Sequence, residues 1–230
     1  MKLSFIEKLS DKKETLVILS DKKSISKIAG LNKTVLNLIT KSIKNQSFKF
    51  NKLESIEIIG EDKTGYSKII VIGCGDVDFL TLQDYDLIGG KVTQLNSKSS
   101  NNLELIVSQN ILNDTSLLRI GYGATLATYR FDKYKSKKSK ISFPKNIKIL
   151  SKNSKELSKK FNHKKSVAEG VFLARDLVNE PSNILNPEDY AKRIKGLSKY
   201  GLKVEVLNEV KMKKLGMDSL LGVGRGSQYD

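Results

Sequence analysis

Short apolar runs alternate with longer amphipathic segments over about the first 150 residues of the chain. Runs rich in leucine and β-branched residues are typical of buried strands, whereas apolar residues at three- and four-residue spacing indicate helices. Strands are therefore predicted over 16–19, 56–59, 68–72, 103–107 and 145–150, and helices over 31–43, 82–95 and 115–131. This alternation predicts a three-layer α/β domain whose mostly parallel sheet is covered by helices on both faces.

One long helix is predicted to follow this domain, over residues 154–178. Its second half has apolar residues at helical spacing, whereas its first half, up to Lys165, is read as polar all round. A helix that is solvated at one end and amphipathic at the other suits a connector between two domains. The helix should end at Asn179-Glu180, because the residue before Pro181 disfavours helical backbone angles.

A second unit is predicted after Pro181. The residues Asn186-Pro187-Glu188 are typical of a helix start, with an N-cap, a proline at the first helical position and an acid in the first turn. This helix is predicted to run to Tyr200. The elements predicted after it are a strand over 203–207, a helix over 209–215 and a strand over 220–223.

These elements predict three parts of the chain. Residues 1–150 form an N-terminal α/β domain, 151–180 a connector helix, and 181–230 the incomplete α-β-α-β opening of a second α/β domain. Apolar strands normally have neighbours on both sides. We therefore expect residues 181–230 to leave apolar surface and an open strand edge exposed.

Composition narrows the possible chemistry. The 230 residues are 39% hydrophobic and 29% charged, which allows a large core and two domains. With one cysteine and one histidine, the chain has no internal disulfide, no HExxH zinc helix and no site built from several histidines. Cys74 is expected to pack as a small apolar residue after a buried strand. His163 lies in a lysine-rich run and is expected to face water rather than serve a Ser-His-Asp triad.

The location of the protein is inferred from two features that the sequence lacks. No apolar run approaches the roughly 20 residues that a membrane-spanning helix needs. Charged residues within the first 11 positions interrupt any apolar region of a signal peptide. We therefore expect a cytoplasmic protein.

The net charge of +16 is concentrated in one segment. Residues Arg130–Lys165 carry 14 Lys and Arg against two acids, a net charge of +12. One interpretation is a patch that binds DNA or another polyanion. The other is a solvated surface in a lysine-rich protein, which we favour because only five of the 41 basic residues are Arg. Bidentate phosphate contacts and base recognition prefer Arg.

Two glycine motifs follow predicted strands. Gly73-Cys74-Gly75 is placed where a phosphate-binding turn would lie, but no third glycine or helix start follows it. Asp76 and Asp78 come next, and they would repel phosphate. A tight turn is the interpretation that we favour here. We favour the same interpretation for the glycines at positions 222, 224 and 226.

Paired carboxylates are the candidate ligands for a metal ion. Asp76 with Asp78, and Asp84 with Asp86, are spaced to gather a hard cation on a loop. No third or fourth ligand lies nearby in the sequence, so we expect turns rather than a metal site. The neighbouring pair Arg175-Asp176 is expected to have a structural role in the connector helix, pairing across a domain interface.

Three strings in the second half of the chain resemble the leucyl (cytosol) aminopeptidase family. The string AEGVFLARDLVNEPSNILNPE resembles the junction between its N-terminal and catalytic domains. The other two resemble a helix late in the N-terminal domain and the first strand–helix–strand of the catalytic domain. They read GYGATLATYRFDKYKSKK (121–138) and VEVLNEVKMKKLGMDSLLGVGRGS (204–227). Residues 1–120 match the family in pattern only.

The resemblance implies a metallo-aminopeptidase that removes N-terminal residues, often leucine, from peptides. Such enzymes carry two divalent metal ions, zinc or manganese, held by carboxylates and a lysine. The family forms cytoplasmic homohexamers. Some bacterial members also bind DNA, which gives Arg130–Lys165 a second possible role.

The family's metal ligands and catalytic residues lie in later segments, one of which reads NTDAEGR. No such string occurs in residues 1–230, so no catalytic, cofactor-binding or metal residue is assigned to this chain. We expect an N-terminal fragment that binds no metal and is inactive alone. Two alternatives stay open: a basic α/β module that binds nucleic acid or a nucleotide, and a regulatory subunit of an intact hexamer.

Overall fold

The computed structural model describes residues 1–10, 15–28, 30–60, 64–96, 102–111, 113–137 and 141–227. The chain divides into two compact units, which we call unit 1 (Met1–Phe172) and unit 2 (Leu173–Asp230). No helix within the described residues has the length and apolar character that a membrane span requires.

Unit 1 is built on a six-stranded sheet with the order β1-β6-β5-β2-β4-β3. All neighbouring strands are parallel except β3 and β4. The strands are β1 (Lys2–Ile6), β2 (Thr15–Ser20), β3 (Ser55–Ile59), β4 (Lys68–Gly73), β5 (Asn102–Val107) and β6 (Asn146–Leu150). The predicted mostly parallel sheet is confirmed. The sequence pattern missed β1, an edge strand in which Phe5 is the one buried residue.

Helices cover both faces of this sheet. They are α1 (Lys33–Asn45), α2 (Leu82–Leu95), α3 (Asp114–Leu126) and the long α4 (Ser154–Asn179). Alternate residues of β2 enter different cores: Leu16 and Ile18 pack on the side of α1, and Val17 and Leu19 on the side of α2 and α3. The predicted three-layer arrangement is therefore confirmed. Helix α3 ends at Leu126, five residues before its predicted end.

Glycines allow α2 and α3 to approach each other closely. A Cβ on Gly89 of α2 would lie 2.0 Å from the carbonyl oxygen of Ile120, and one on Gly123 of α3 would lie 1.9 Å from that of Asp86. Both distances are impossible for real atoms, so these two positions require glycine. Gly90, the neighbour of Gly89, has its nearest atom at an ordinary 3.8 Å.

Helix α4 spans almost the range that the sequence pattern predicts. The prediction that its first half is polar all round is wrong, because Leu157 and Phe161 are buried in the core of unit 1. The ring of Phe161 packs edge-on against Phe5, with centroids 5.7 Å apart. Leu157 and Phe161 are one turn apart and therefore lie on the same face of the helix, while most of the positions between and around them are exposed.

Unit 2 contains short helices in the residues that the structure describes. They are α5 (Pro187–Lys195), α6 (Glu209–Lys214) and α7 (Asp218–Gly224), with a 3-10 turn over Gly196–Tyr200. The predicted start of α5 is confirmed, since the side chain of Asn186 accepts a hydrogen bond from the backbone N–H of Asp189 at 2.9 Å.

The two strands predicted in unit 2 are wrong. Residues 203–207 have no regular structure, and residues 220–223 lie inside α7. An isolated strand leaves its backbone N–H and C=O groups without partners, and the described part of unit 2 offers no second strand. A helix satisfies such groups internally; in α7 the N–H of Leu221 donates to the carbonyl of Met217 at 3.2 Å.

Candidate functional site

A cleft opens at the carboxyl ends of three parallel strands of unit 1. Its cavity volume is about 610 Å³. The lining comes from four separate segments: residues 21–23 after β2, 49–52 before β3, 75–78 after β4, and Asn110 after β5. We call this the carboxyl-edge cleft.

The topology places the cleft where the strand order reverses. After β2, the chain adds β3 and β4 to the sheet on one side of β2. The crossover through α2 then places β5 on the opposite side of β2. In open α/β sheets, ligands bind in the crevice at this kind of switch point, outside the carboxyl ends of the strands. The position alone therefore makes the carboxyl-edge cleft a candidate site.

One wall of the cleft is a loop with unusual backbone angles. Phe50 and Leu53 have φ values of 63° and 65°, in the left-handed region that non-glycine residues rarely adopt. Each such residue costs about 1–3 kcal/mol. The carboxylate of Glu54 offsets part of this cost, since it accepts hydrogen bonds from the backbone N–H groups of Lys49 and Asn51, at 3.3 and 2.9 Å.

The tight turn predicted at Gly73-Cys74-Gly75 is wrong: Gly73 is the last residue of β4, and Cys74 and Gly75 continue from it without a turn. A Cβ on Gly73 would lie 2.5 Å from the carbonyl oxygen of Asn51, and Gly75 has a φ of +71°. The three backbone N–H groups of the motif already donate within the protein, to Glu54, Ser20 and Phe50 at 2.8, 3.0 and 3.0 Å. The motif therefore shapes the cleft but offers no N–H group to a phosphate.

The thiol of Cys74 belongs to the core rather than to the cleft. Its residue is fully buried among apolar side chains, which confirms the predicted packing role. Burial, and secondarily the charge of Asp21, raises the pKa of this thiol to about 12.

Asp21 is a buried carboxylate in the lining of the cleft, with an exposed fraction of 5%. Its Oδ1 accepts hydrogen bonds from the backbone N–H of Ser24, at 3.1 Å, and from the Ser24 hydroxyl. Its Oδ2 has a contact at the 3.5 Å limit from Asn110 Nδ2. An ionised carboxylate has about four acceptor positions, so Asp21 retains capacity for further donors.

Four lysines line the same cleft as this carboxylate. Lys22, Lys23 and Lys49 are exposed, and none forms an ion pair with a described residue. Lys52 differs, because its Nζ lies 2.6 Å from Oδ1 of Asp84. The hydrogen bond from Lys52, with those from Thr81, lowers the pKa of Asp84 to about 2.

The sequence pattern did not single out the residues that give the cleft its charge. Asp21, Lys22 and Lys23 directly follow the apolar run 16–19, and this change from a buried strand to charged residues was the available signal. The strand order decides which strand ends lie next to one another and so form a cleft. This order was not predicted from the sequence.

The paired acids of the sequence have structural roles. The side chain of Asp76 accepts a hydrogen bond from the backbone N–H of Asp78 at 3.2 Å, which confirms the turn prediction. Asp84 forms a capping box with Thr81 at the start of α2. Asp86 pairs with Arg119 of α3. Burial raises the pKa of Asp86, and the Arg119 charge opposes this shift.

No group of three or more His, Cys, Asp and Glu residues that could hold a metal ion occurs within the described ranges. These residues therefore do not fit a centre of one or two metal ions. Asp76 and Asp78, which the sequence analysis weighed as cation ligands and expected to form turns, lie in the lining of the cleft. Asp84 and Asp86 lie on α2 and are paired to basic side chains.

The described residues of the basic segment Arg130–Lys165 lie in irregular structure over 130–137, 141–145 and 151–153, in β6 and in the first half of α4. Most of its described lysines are exposed, and His163 is exposed as predicted. Some of its lysines are paired with acids, notably Lys160, whose Nζ lies 2.8 Å from Glu156 and 3.1 Å from Asp114. The segment therefore combines a solvated surface with local ion pairs.

The remaining predicted motifs lie in α4 and α7. Arg175 and Asp176 are both on α4. The glycines at 222, 224 and 226 were predicted as a turn after a strand. This is wrong for the first two, which lie within α7, whereas Gly226 lies in the turn that follows this helix.

Comparison with known proteins adds independent findings. A model of the N-terminal domain of the cytosol aminopeptidase family matches residues 16–138, and a model of the catalytic domain of that family matches residues 172–230. A probable cytosol aminopeptidase of Rickettsia rickettsii (strain Sheila Smith) is 36% identical over 246 residues, covering 100% of this chain and 48% of that protein. One of Rickettsia bellii (strain OSU 85-389) is 38% identical over 240 residues, covering 99% and 48%. The chain spans about half the length of the curated relatives it matches.

Solved structures with the same fold include a tomato leucine aminopeptidase mutant. It has a TM-score of 0.76 and 20% identity, and the match covers 94% of this chain and 46% of that one. The bottromycin maturation enzyme BotP, in complex with Mn, has a TM-score of 0.70 and 20% identity, with 94% and 43% covered. At these identities the likenesses show the fold.

Proposed function

We propose that this chain, which belongs to the cytosol aminopeptidase family, is part of an enzyme that removes N-terminal residues from peptides. Leucine is among the residues that it removes. The observation that carries this proposal is the match of the family's N-terminal-domain model to residues 16–138, more than half of the chain. The catalytic-domain match to residues 172–230 follows in the order that the family has.

Within this proposal the three predicted parts have distinct roles. Residues 1–150 are the N-terminal domain, 151–180 the connector helix, and 181–230 the opening of the catalytic domain. The length of α4, Ser154–Asn179, and the order of the two family matches support these assignments.

We infer that the complete enzyme uses two divalent metal ions, manganese or zinc, which would polarise the peptide carbonyl and activate a water molecule. The manganese in the related fold of BotP supports this inference. The described residues hold no group of ligands for such a centre. No step of peptide hydrolysis is therefore assigned to residues 1–230, and the ligands belong to segments such as the family's NTDAEGR.

Location and assembly follow the family in this proposal. The relatives are named cytosol aminopeptidases, which supports a cytoplasmic location. A homohexamer is the assembly that the resemblance implies, with peptides as substrates.

Hydrolysis of leucine p-nitroanilide tests the proposal. The product of the complete coding sequence and the 230-residue chain are assayed side by side with Mn²⁺ or Zn²⁺, and with EDTA as the control. We expect metal-dependent turnover by the complete product and none above the buffer rate by the 230-residue chain. An inactive complete product would overturn the enzyme assignment. Turnover by the 230-residue chain would overturn the placement of the metal ligands.

A second candidate function, DNA binding by Arg130–Lys165, is supported by the net charge of +12 and by the exposure of most of its described lysines. If about six phosphates are contacted, the logarithm of the affinity should fall with the logarithm of the salt concentration at a slope near −5. Replacing Lys133, Lys135 and Lys137 by Ala should reduce this slope. A flat salt response would remove this candidate.

A further inference from the structure

We propose that the carboxyl-edge cleft of unit 1 is a binding site for a nucleoside phosphate, separate from peptide hydrolysis. The cleft lies wholly within unit 1, at the switch point of the parallel sheet. Its volume of about 610 Å³ is within the range of about 300–1,000 Å³ that small-molecule sites occupy. A bare phosphate ion would leave most of this space unfilled.

The buried carboxylate selects for a hydrogen-bond donor on the ligand. Asp21 is 5% exposed, and one of its oxygens has only the 3.5 Å contact from Asn110. A buried charge with unused acceptor capacity is costly unless a donor completes its hydrogen bonds. The hydroxyl groups of a ribose and the exocyclic amine of a base are donors of this kind.

The exposed lysines of the lining select for an anion. Lys22 and Lys23 follow the strand that ends beside Asp21, and Lys49 stands on the loop before β3. None of the three is neutralised by a described carboxylate. Because the N–H groups of residues 73–75 are already used within the protein, the lysine ammonium groups are the donors that bind the phosphate.

The lining carries both positive and negative side chains, so it disfavours a ligand that is anionic throughout or cationic throughout. Asp76 and Asp78 lie in the same lining as the lysines and would repel a ligand that is anionic throughout. A nucleoside phosphate matches both kinds of side chain. Its sugar and base offer hydrogen-bond donors to the carboxylates, and its phosphate accepts hydrogen bonds from the lysines. This pairing of a donor end with an anionic end is what the lining favours.

Isothermal titration of the 230-residue chain with AMP tests the proposal, with adenosine and inorganic phosphate as partial ligands. Saturable AMP binding is expected, with each partial ligand at least tenfold weaker. Asp21→Asn should weaken AMP binding about tenfold and leave phosphate binding unchanged. The double variant Lys22→Ala/Lys23→Ala should weaken both about tenfold.

The matched control is Lys213→Ala/Lys214→Ala on α6, which removes the same charge from exposed positions outside the cleft and outside the basic segment Arg130–Lys165. It should bind AMP as the unchanged chain does. Absence of saturable AMP binding at millimolar concentration would overturn the proposal, and so would equal losses in the two lysine double variants. Phosphate binding as tight as AMP would overturn the nucleoside part. Circular dichroism verifies that each variant is folded, and neither result depends on the outcome of the peptide hydrolysis assay.

Discussion

The thiol of Cys74 lies next to the carboxyl-edge cleft but is expected to be unreactive in the folded chain. Because its pKa is raised to about 12, the thiol is protonated at neutral pH, and thiolate is the reactive form. We expect no reaction of the folded chain with a thiol-specific disulfide reagent at pH 8, and complete reaction in denaturing urea. As the chain has one cysteine, the absorbance of the released group reports this site alone. Fast labelling of the folded chain would contradict the burial.

The pair of Lys52 and Asp84 predicts a pH dependence of stability. The pKa of Asp84 is lowered from its ordinary value of 3.8 to about 2, so its ionised form is stabilised by folding. This contribution is present above about pH 4 and is lost as the pH falls towards 2. Since the Lys52 side chain is 48% exposed and solvent screens the pair, we expect about 1 kcal/mol at pH 7.

Urea unfolding of the unchanged chain and of Lys52→Ala between pH 7 and pH 2 measures this contribution. The difference in the free energy of unfolding should be constant above pH 5 and should shrink towards zero at pH 2. Lys155→Ala, on the exposed face of α4, is the control and should show no such trend. A difference that does not change with pH would mean that the ion pair is not its source.

The environment of a residue was predicted correctly where it depends on residues close to it in the sequence. The burial of Cys74 follows from the apolar run before it. The charged lining of the cleft was not predicted, because Asp21, Lys49 and Asn110 are far apart in sequence and meet only through the strand order.

At the scale of elements, the contact of α2 with α3 depends on which glycine faces the neighbouring helix. We expect Gly89→Ala to destabilise the chain by about 3 kcal/mol or more, because the new Cβ would overlap the backbone at Ile120. Gly90→Ala is the matched control. It has room for the methyl group and should stabilise the chain by about 0.5–1 kcal/mol, as alanine favours helix. Thermal unfolding of both variants tests this, and equal effects would contradict the packing of α2 on α3.

Elements were predicted best where local pattern and tertiary context agree. The run at 68–72 is apolar and β-branched, and it becomes the strand β4 between two others. The run at 220–223 is equally apolar, but without a neighbouring strand in the described part of unit 2 it becomes helix. A short apolar run does not specify strand or helix by itself, and pairing partners decide between them.

At the scale of the whole molecule, units 1 and 2 differ in burial. None of the described residues from 173 to 227 is buried, whereas the central strands of unit 1 are almost fully enclosed. Local stability depends on buried apolar contacts, so unit 2 should open far more readily. We expect backbone amides of unit 2 to exchange with deuterium in seconds to minutes, and those of β2 and β4 to be protected for hours. Strong protection of residues 187–214 in a monomer would contradict this.

The edge position of β1 has a consequence for how the chain acquires its fold during translation. The strand Lys2–Ile6 pairs with Asn146–Leu150, so two segments that are about 140 residues apart must meet. At a synthesis rate of roughly 5–20 residues per second, the first strand is made roughly 7–30 s before its partner. Throughout that interval its backbone donors and acceptors are available to other chains emerging nearby. The nascent chain is thus most vulnerable to mispairing before residue 150 has left the ribosome, and a chaperone that holds the first residues would act in that window.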